Sequence, residues 1–124
     1  MLDTTSTPKK GETTWLWLVK ILSGLLIIVI LMIHFVVNHF TAPGGLLTWA
    51  DVVSYYQNPI IPAMEIIFVI LLVSHSLIGL RGIVLDLNPS RAVITAVNWL
   101  FSAVGIVSIG YGIWLIERIV SFGS

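Results

Sequence analysis

The residues of this chain that are most able to do chemistry are ionisable side chains inside long apolar runs. His34 and His39 lie in the first run, and Glu65 and His75 lie in the second. Ionisable groups are costly in apolar segments and usually face a bundle interior, a cofactor or a water-filled cavity. Haem iron is a common partner of such histidines in membrane helix bundles. The alternative is a hydrogen bond to a carbonyl or a serine across a helix interface.

The depths of these residues leave both interpretations open. His34 lies about two turns from the end of the first run, whereas His75 lies nearer the middle or the opposite end of the second. His39 is close to the interface, where we expect hydration. Glu65 is about one turn inside its run. It is therefore a candidate for a proton or quinone pocket, with local hydration as the alternative.

Three apolar runs are each long enough to cross a bilayer, which takes roughly 20 helical residues. The chain has 124 residues, of which 57% are hydrophobic and 10% are charged. Strands of this length would leave backbone groups unpaired in lipid. We therefore predict an all-α integral membrane protein with three transmembrane helices, over about residues 15–41, 59–87 and 91–119. The net charge of zero argues against nucleic acid, and the absence of cysteine excludes disulfides and thiolate ligands.

We predict a polar tail over residues 1–14 and a single three-helix domain over 15–124. The first connection contains several helix breakers, and its aromatic residues suit an interfacial segment. In the second connection, Pro89 ends the helix and Ser90 is the predicted N-cap of the third. Small residues on the third helix at 105, 108 and 112 share one face and predict close packing.

Lysine and arginine predict the orientation. Lys20 and two tail lysines flank the start of the first helix, Arg81 and Arg91 flank the second connection, and Arg118 lies at the far end. The positive-inside rule puts the N-terminus and the second connection in the cytoplasm and the C-terminus outside.

The segment SHSLIGLRGIVLD, residues 74–86, resembles the second helix of the small membrane-anchor subunit of succinate dehydrogenase. That pattern has a histidine, a glycine four residues on and an Asp-Tyr pair eleven residues on. His75, Gly79 and Asp86 match it, whereas Leu87 stands where the tyrosine would be.

The first helix is similar to anchors of the same kind that bind two haems. Lys20, Ser23, Gly24 and His34 resemble an Arg-x-x-Ser-Gly start followed by a histidine ten residues after the glycine. Lysine keeps the charge of that arginine but lacks its planar fork. The resemblance covers most of residues 15–90.

The resemblance implies a non-catalytic anchor in the inner or cytoplasmic membrane, paired with a second three-helix anchor around haem b. A flavoprotein subunit carrying FAD and an iron–sulfur subunit would dock on the cytoplasmic side. Electrons from succinate would then reach a membrane quinone, either menaquinone or ubiquinone.

The resemblance also implies roles for single residues. His75 would ligate the iron of a haem near the cytoplasm, and His34 that of a second haem nearer the outside. Ser23 and Arg81 are further cofactor-binding candidates. The quinone-site candidates are Asp86, Leu87 and Glu65, although Leu87 cannot donate the hydrogen bond of a tyrosine.

Three alternatives stay open. A fumarate reductase anchor shares the same architecture. A small assembly or transport subunit without a cofactor would use its histidines for helix contacts. An anchor of another dihaem cytochrome b, such as that of a hydrogenase, usually has four or more helices, which argues against it.

Overall fold

The computed structural model of the chain describes residues 12–41, 44 and 47–124. In this part the helices are α1 (Thr14–Val36), α2 (Trp49–Tyr55), α3 (Ile60–Asp86) and α4 (Arg91–Ser121), and a π-helical turn, Val37–Thr41, continues α1. The predicted all-α fold is confirmed. Most of the predicted tail, 1–14, lies outside the described residues, as do 42–43 and 45–46 of the first connection.

Three of these helices, α1, α3 and α4, are long and apolar enough to cross a membrane, with 23, 27 and 31 residues. Few of their side chains are buried within the chain, and most large apolar side chains are exposed. Such a surface is stable in lipid or against other membrane helices, but it would be costly in water. The chain is therefore a multi-pass membrane protein.

Helix α3 is the central helix and packs against both α1 and α4. On α1, the buried residues are Ser23, Ile27 and Ile30. Their spacing of four and three residues puts them on one helix face. This face therefore forms the α1 side of a helix interface.

Glycines let α4 approach α3 closely, as the stripe of small residues predicts. A Cβ at Gly105 would lie 3.1 Å from Leu77 Cδ1, and a Cβ at Gly112 would lie 2.8 Å from Val69 Cγ1. The packing prediction is confirmed for these two glycines. Gly110 differs, because a Cβ there would meet nothing within 4 Å.

Local signals set the ends of the long helices. Thr13 caps α1 by accepting a hydrogen bond from Leu16 N at 3.3 Å. The predicted cap Ser90 accepts from Val93 N at 3.4 Å and starts α4. Asn88 follows α3 with a φ of 50°, in the left-handed region that asparagine tolerates better than most residues.

The first connection contains a short helix, α2, where we predicted an interfacial segment with breakers. Thr48 and Asp51 form a capping box, in which Asp51 Oδ2 accepts from Thr48 N at 2.8 Å. The hydrogen bonds from Thr48 lower the pKa of the Asp51 carboxyl below 3.8. Gln57 Nε2 then donates to Val120 O at 3.2 Å and ties this segment to α4. We call this end of the bundle the α2 end, and the end with the α3–α4 connection the turn end.

The two α4 glycines with different surroundings give a matched test of helix packing. Gly112→Ala puts a methyl group against the stiff side chain of Val69, so it should destabilise the α3–α4 interface by about 1–3 kcal/mol. Gly110→Ala meets open space in this chain and should be neutral or slightly stabilising, because alanine favours the helix. Unfolding of the chain from mild micelles by a denaturing detergent measures both variants. Equal stabilities would contradict this packing.

Candidate functional site

His75 lies in α3 with its imidazole directed at the backbone of α1. Its Nδ1 is 3.0 Å from Lys20 O and 3.2 Å from Ser23 Oγ. Ser23 Oγ also donates to Lys20 O, at 3.1 Å. Because a carbonyl oxygen only accepts, Nδ1 must carry the proton of the neutral ring, and Nε2 keeps its lone pair.

The surroundings of His75 match those of a metal-bound histidine. Ligating histidines usually donate their other ring N–H to a carbonyl or carboxylate, which fixes the tautomer and the ring orientation. Across the part of the chain that the structure describes, Nε2 of His75 makes no hydrogen bond. The donor chemistry of His75 therefore fits an axial ligand of haem iron.

Two glycines shape the space around this imidazole. A Cβ at Gly24 would lie 3.0 Å from His75 Cε1, so glycine lets the ring lie directly against α1. Gly79 follows His75 by about one turn, on the same side of α3. A Cβ there would meet nothing within 4 Å, which leaves room beside His75 for another group. Ser23 itself is almost fully buried.

The side chain of Lys20 makes a second contact at the start of α1, with Glu12. Its Nζ forms an ion pair with Glu12 Oε1 at 2.7 Å, and the Glu12 side chain is 2% exposed. A Cβ at Gly82 of α3 would lie 4.0 Å from the same Nζ. Sequence reasoning missed Glu12 because it was assigned to a polar tail.

Arg81 lies in a second polar group, between α3 and α4. Its Nε donates to Asn98 Oδ1 at 2.7 Å. Both residues line a cavity of about 340 Å³ towards the turn end, with Leu16, Ser74, Leu77, Ile78, Phe101 and Ser102. Asn98 was also missed, because the search was for ionisable residues in the apolar runs, and a search for all polar residues would have identified it.

His34 lies in a third polar group, towards the α2 end. Its Nε2 is 2.7 Å from Glu65 Oε1, and its Nδ1 is 2.9 Å from Ile30 O. The two side chains are only 22% and 14% exposed. The ring of Phe68 packs on His34, with centroids 5.1 Å apart. Both imidazole nitrogens of His34 are therefore occupied, unlike those of His75.

Glu65 affects the pKa values of two tyrosines that lie outside the membrane spans. Burial and the Glu65 charge raise the pKa of Tyr55, and burial, Glu65 and Tyr55 together raise the pKa of Tyr56 to about 12. The α2 end thus contains a partly desolvated cluster of titratable groups.

The remaining site residues lie apart from these three groups. His39 is exposed and contacts the ring of Phe35, with centroids 4.8 Å apart. Asp86 is the last residue of α3, and Leu87 is its exposed C-cap. Neither lines the cavity beside Arg81. The structure thus joins Ser23 to His75 and His34 to Glu65, and it separates Arg81 from both pairs.

The fold and these groups define a class: small helical membrane proteins with polar contacts between their spanning helices. Residues 4–115 match the family described as succinate dehydrogenase/fumarate reductase transmembrane subunit. The chain is also 31% identical over 103 residues to the succinate dehydrogenase hydrophobic membrane anchor subunit of Archaeoglobus fulgidus, covering 83% of this chain and 87% of that protein. No solved structure matches. The chain belongs to this family and is a membrane anchor subunit, which confirms the resemblance seen in the sequence.

The raised pKa of Tyr56 predicts that its hydroxyl ionises at a higher pH than that of an ordinary tyrosine. The folded chain holds this proton more tightly than the unfolded chain, whose tyrosine pKa is 10.0. The resulting stabilisation is complete below pH 10 and is lost as the pH rises through about 12. Ultraviolet titration should show a tyrosinate step near pH 12 that Tyr56→Phe removes. A step that stays at the ordinary tyrosine value of 10.0 would contradict the burial of Tyr56.

Proposed function

We propose that this chain is the haem-binding anchor of a succinate–quinone oxidoreductase, with haem b ligated by His75. The observation that carries the proposal is the hydrogen bonding of His75, whose Nδ1 is satisfied by Lys20 O and Ser23 Oγ while Nε2 remains available. Family membership supports a role in a complex that acts on succinate or fumarate. When bound, haem supplies a one-electron carrier, and its chemistry is tuned by the surrounding protein.

The residues around His75 act as positioning groups. Lys20 O and Ser23 hold the proton at Nδ1, so the lone pair at Nε2 is the one available to iron. Gly24 allows the short approach to α1, and Gly79 leaves space on the same side of α3. The second anchor subunit would supply a further ligand to the same haem, in line with the resemblance.

The cavity beside Arg81 supports a quinone site at the turn end. Its volume of about 340 Å³ lies within the range of small-molecule pockets, and its walls are mostly apolar. Arg81 offers N–H donors, and Ser74 and Ser102 offer hydroxyls, which are suitable partners for quinone carbonyl oxygens. Asp86 and Leu87 close α3 at the same end, and we assign them to the rim that faces the iron–sulfur subunit.

The orientation of the chain in the membrane is assigned from the basic residues near the turn end. Lys20, Arg81 and Arg91 lie towards the turn end, so we assign that end to the cytoplasm by the positive-inside rule. The iron–sulfur and flavoprotein subunits would dock there, close to the proposed quinone cavity. The direction of flux follows from those subunits, so a fumarate reductase anchor is the second candidate.

Replacing His75 tests the haem assignment. His75→Ala removes the ligand atom, so the purified complex should lose one b-type haem per flavin and assemble less well. A pyridine haemochrome assay, normalised to flavin, measures the loss. His39→Ala is the matched control, because His39 is exposed and should leave the haem content unchanged. Full haem content in His75→Ala would refute the assignment.

Replacing Arg81 tests the quinone cavity. Arg81→Leu removes charged hydrogen-bond donors worth about 1.5–3 kcal/mol, so quinone reduction by the complex should fall about tenfold or more. Succinate oxidation with a soluble electron acceptor should stay unchanged, because that reaction bypasses the anchor. Arg118→Leu, at the α2 end, is the control. Equal quinone kinetics in both variants would rule out a role for Arg81.

A further inference from the structure

His34 and Glu65 hold one proton between them. Ile30 O can only accept, so the proton on Nδ1 of His34 is fixed. A separation of 2.7 Å between Nε2 and Glu65 Oε1 then requires a second proton on one of these two atoms. Without it, two lone pairs would face each other. The pair is either imidazolium–carboxylate or imidazole–carboxylic acid, and its net charge is zero in both arrangements.

This shared proton distinguishes His34 from His75. In both residues Nδ1 donates to a backbone carbonyl, as expected of a potential iron ligand. Only His34 has a carboxyl group at Nε2, the atom that iron would need. Ligation at His34 therefore requires this short hydrogen bond to break, which would leave the mostly buried Glu65 carboxyl without its partner.

We propose that Glu65 determines the haem specificity of the chain by engaging His34 as a proton-sharing link between α1 and α3. The chain then carries haem at His75 alone. The low exposure of the two side chains strengthens the link, because hydrogen bonds gain strength in a low-dielectric setting. Phe68 packs on the imidazole and limits access of water. The link between His34 and Glu65 rests on different residues from the assignment of His75, whereas the statement that His75 holds the haem rests on the proposed function.

The first experiment separates iron ligation from hydrogen bonding. Haem per flavin is measured in the purified complex with wild-type anchor, with His34→Gln and with His34→Leu. We expect one haem per flavin in all three. Glutamine cannot replace histidine on iron, but its amide can still donate to Glu65. His34→Gln should therefore keep the thermal midpoint close to wild type, whereas His34→Leu should lower it by several degrees. Two haems in the wild type, or loss of haem in both variants, would overturn the proposal.

The second experiment is a thermal double-mutant cycle in the same complex. His34→Leu and Glu65→Leu each leave one polar group without its partner and should each lower the midpoint. The combined variant replaces both partners by apolar side chains and should recover most of the loss. Additive losses would mean that the two residues do not act as a pair. This cycle tests the link even in a complex whose haem content refutes the role of His75.

Discussion

A histidine among membrane helices has two ring nitrogens to satisfy, and this requirement organises the polar chemistry of the chain. Water is absent from the hydrocarbon core, so each nitrogen must find a carbonyl, a side chain or a metal. His34 and His75 meet the requirement differently. At His34, Glu65 contacts the second nitrogen, whereas at His75 the residues that the structure describes satisfy only Nδ1. Among the described residues, His34 thus has partners for both nitrogens, and His75 is the histidine to which we assign haem.

The position of α3 explains why one helix carries both histidine contacts. As the central helix it packs against both α1 and α4, so its side chains contact two neighbouring helices. His75 and Glu65 contact α1, whereas Arg81 reaches α4 at Asn98. Glycines on both neighbours allow close approach to α3, with Gly24 of α1 beside the imidazole of His75 and Gly112 of α4 against Val69. Close backbone approach therefore serves the packing of α3 against α4, and on the α1 side it serves the orientation of the His75 imidazole.

The sequence was sufficient for features that depend on local physics. The three spans follow from length and hydropathy, and the Ser90 cap follows from a side chain three residues before the amide that it binds. The close approach of Gly105 and Gly112 follows from their helical spacing. The partners of the histidines did not follow, because the hydrogen bonds join residues 31 to 55 positions apart. Composition marked His34, Glu65 and His75 as unusual, but only the packing of α1 on α3 decides which of them meet.

The contrast between Asn98 and Glu12 shows two different limits of sequence reasoning. Asn98 stands in an apolar run, where a polar amide also needs a partner, so a search extended from ionisable to all polar residues would have included it. Glu12 precedes the first apolar run, where a carboxylate normally needs no explanation. Its importance comes from Lys20, whose ammonium at 2.7 Å neutralises it as it becomes buried. The carbonyl of the same lysine accepts from His75, so the ion pair and the imidazole contact meet in one residue. The start of α1 is thereby joined to the proposed ligand of α3, and a disturbance at this end of α1 would reach the imidazole through a single residue's backbone.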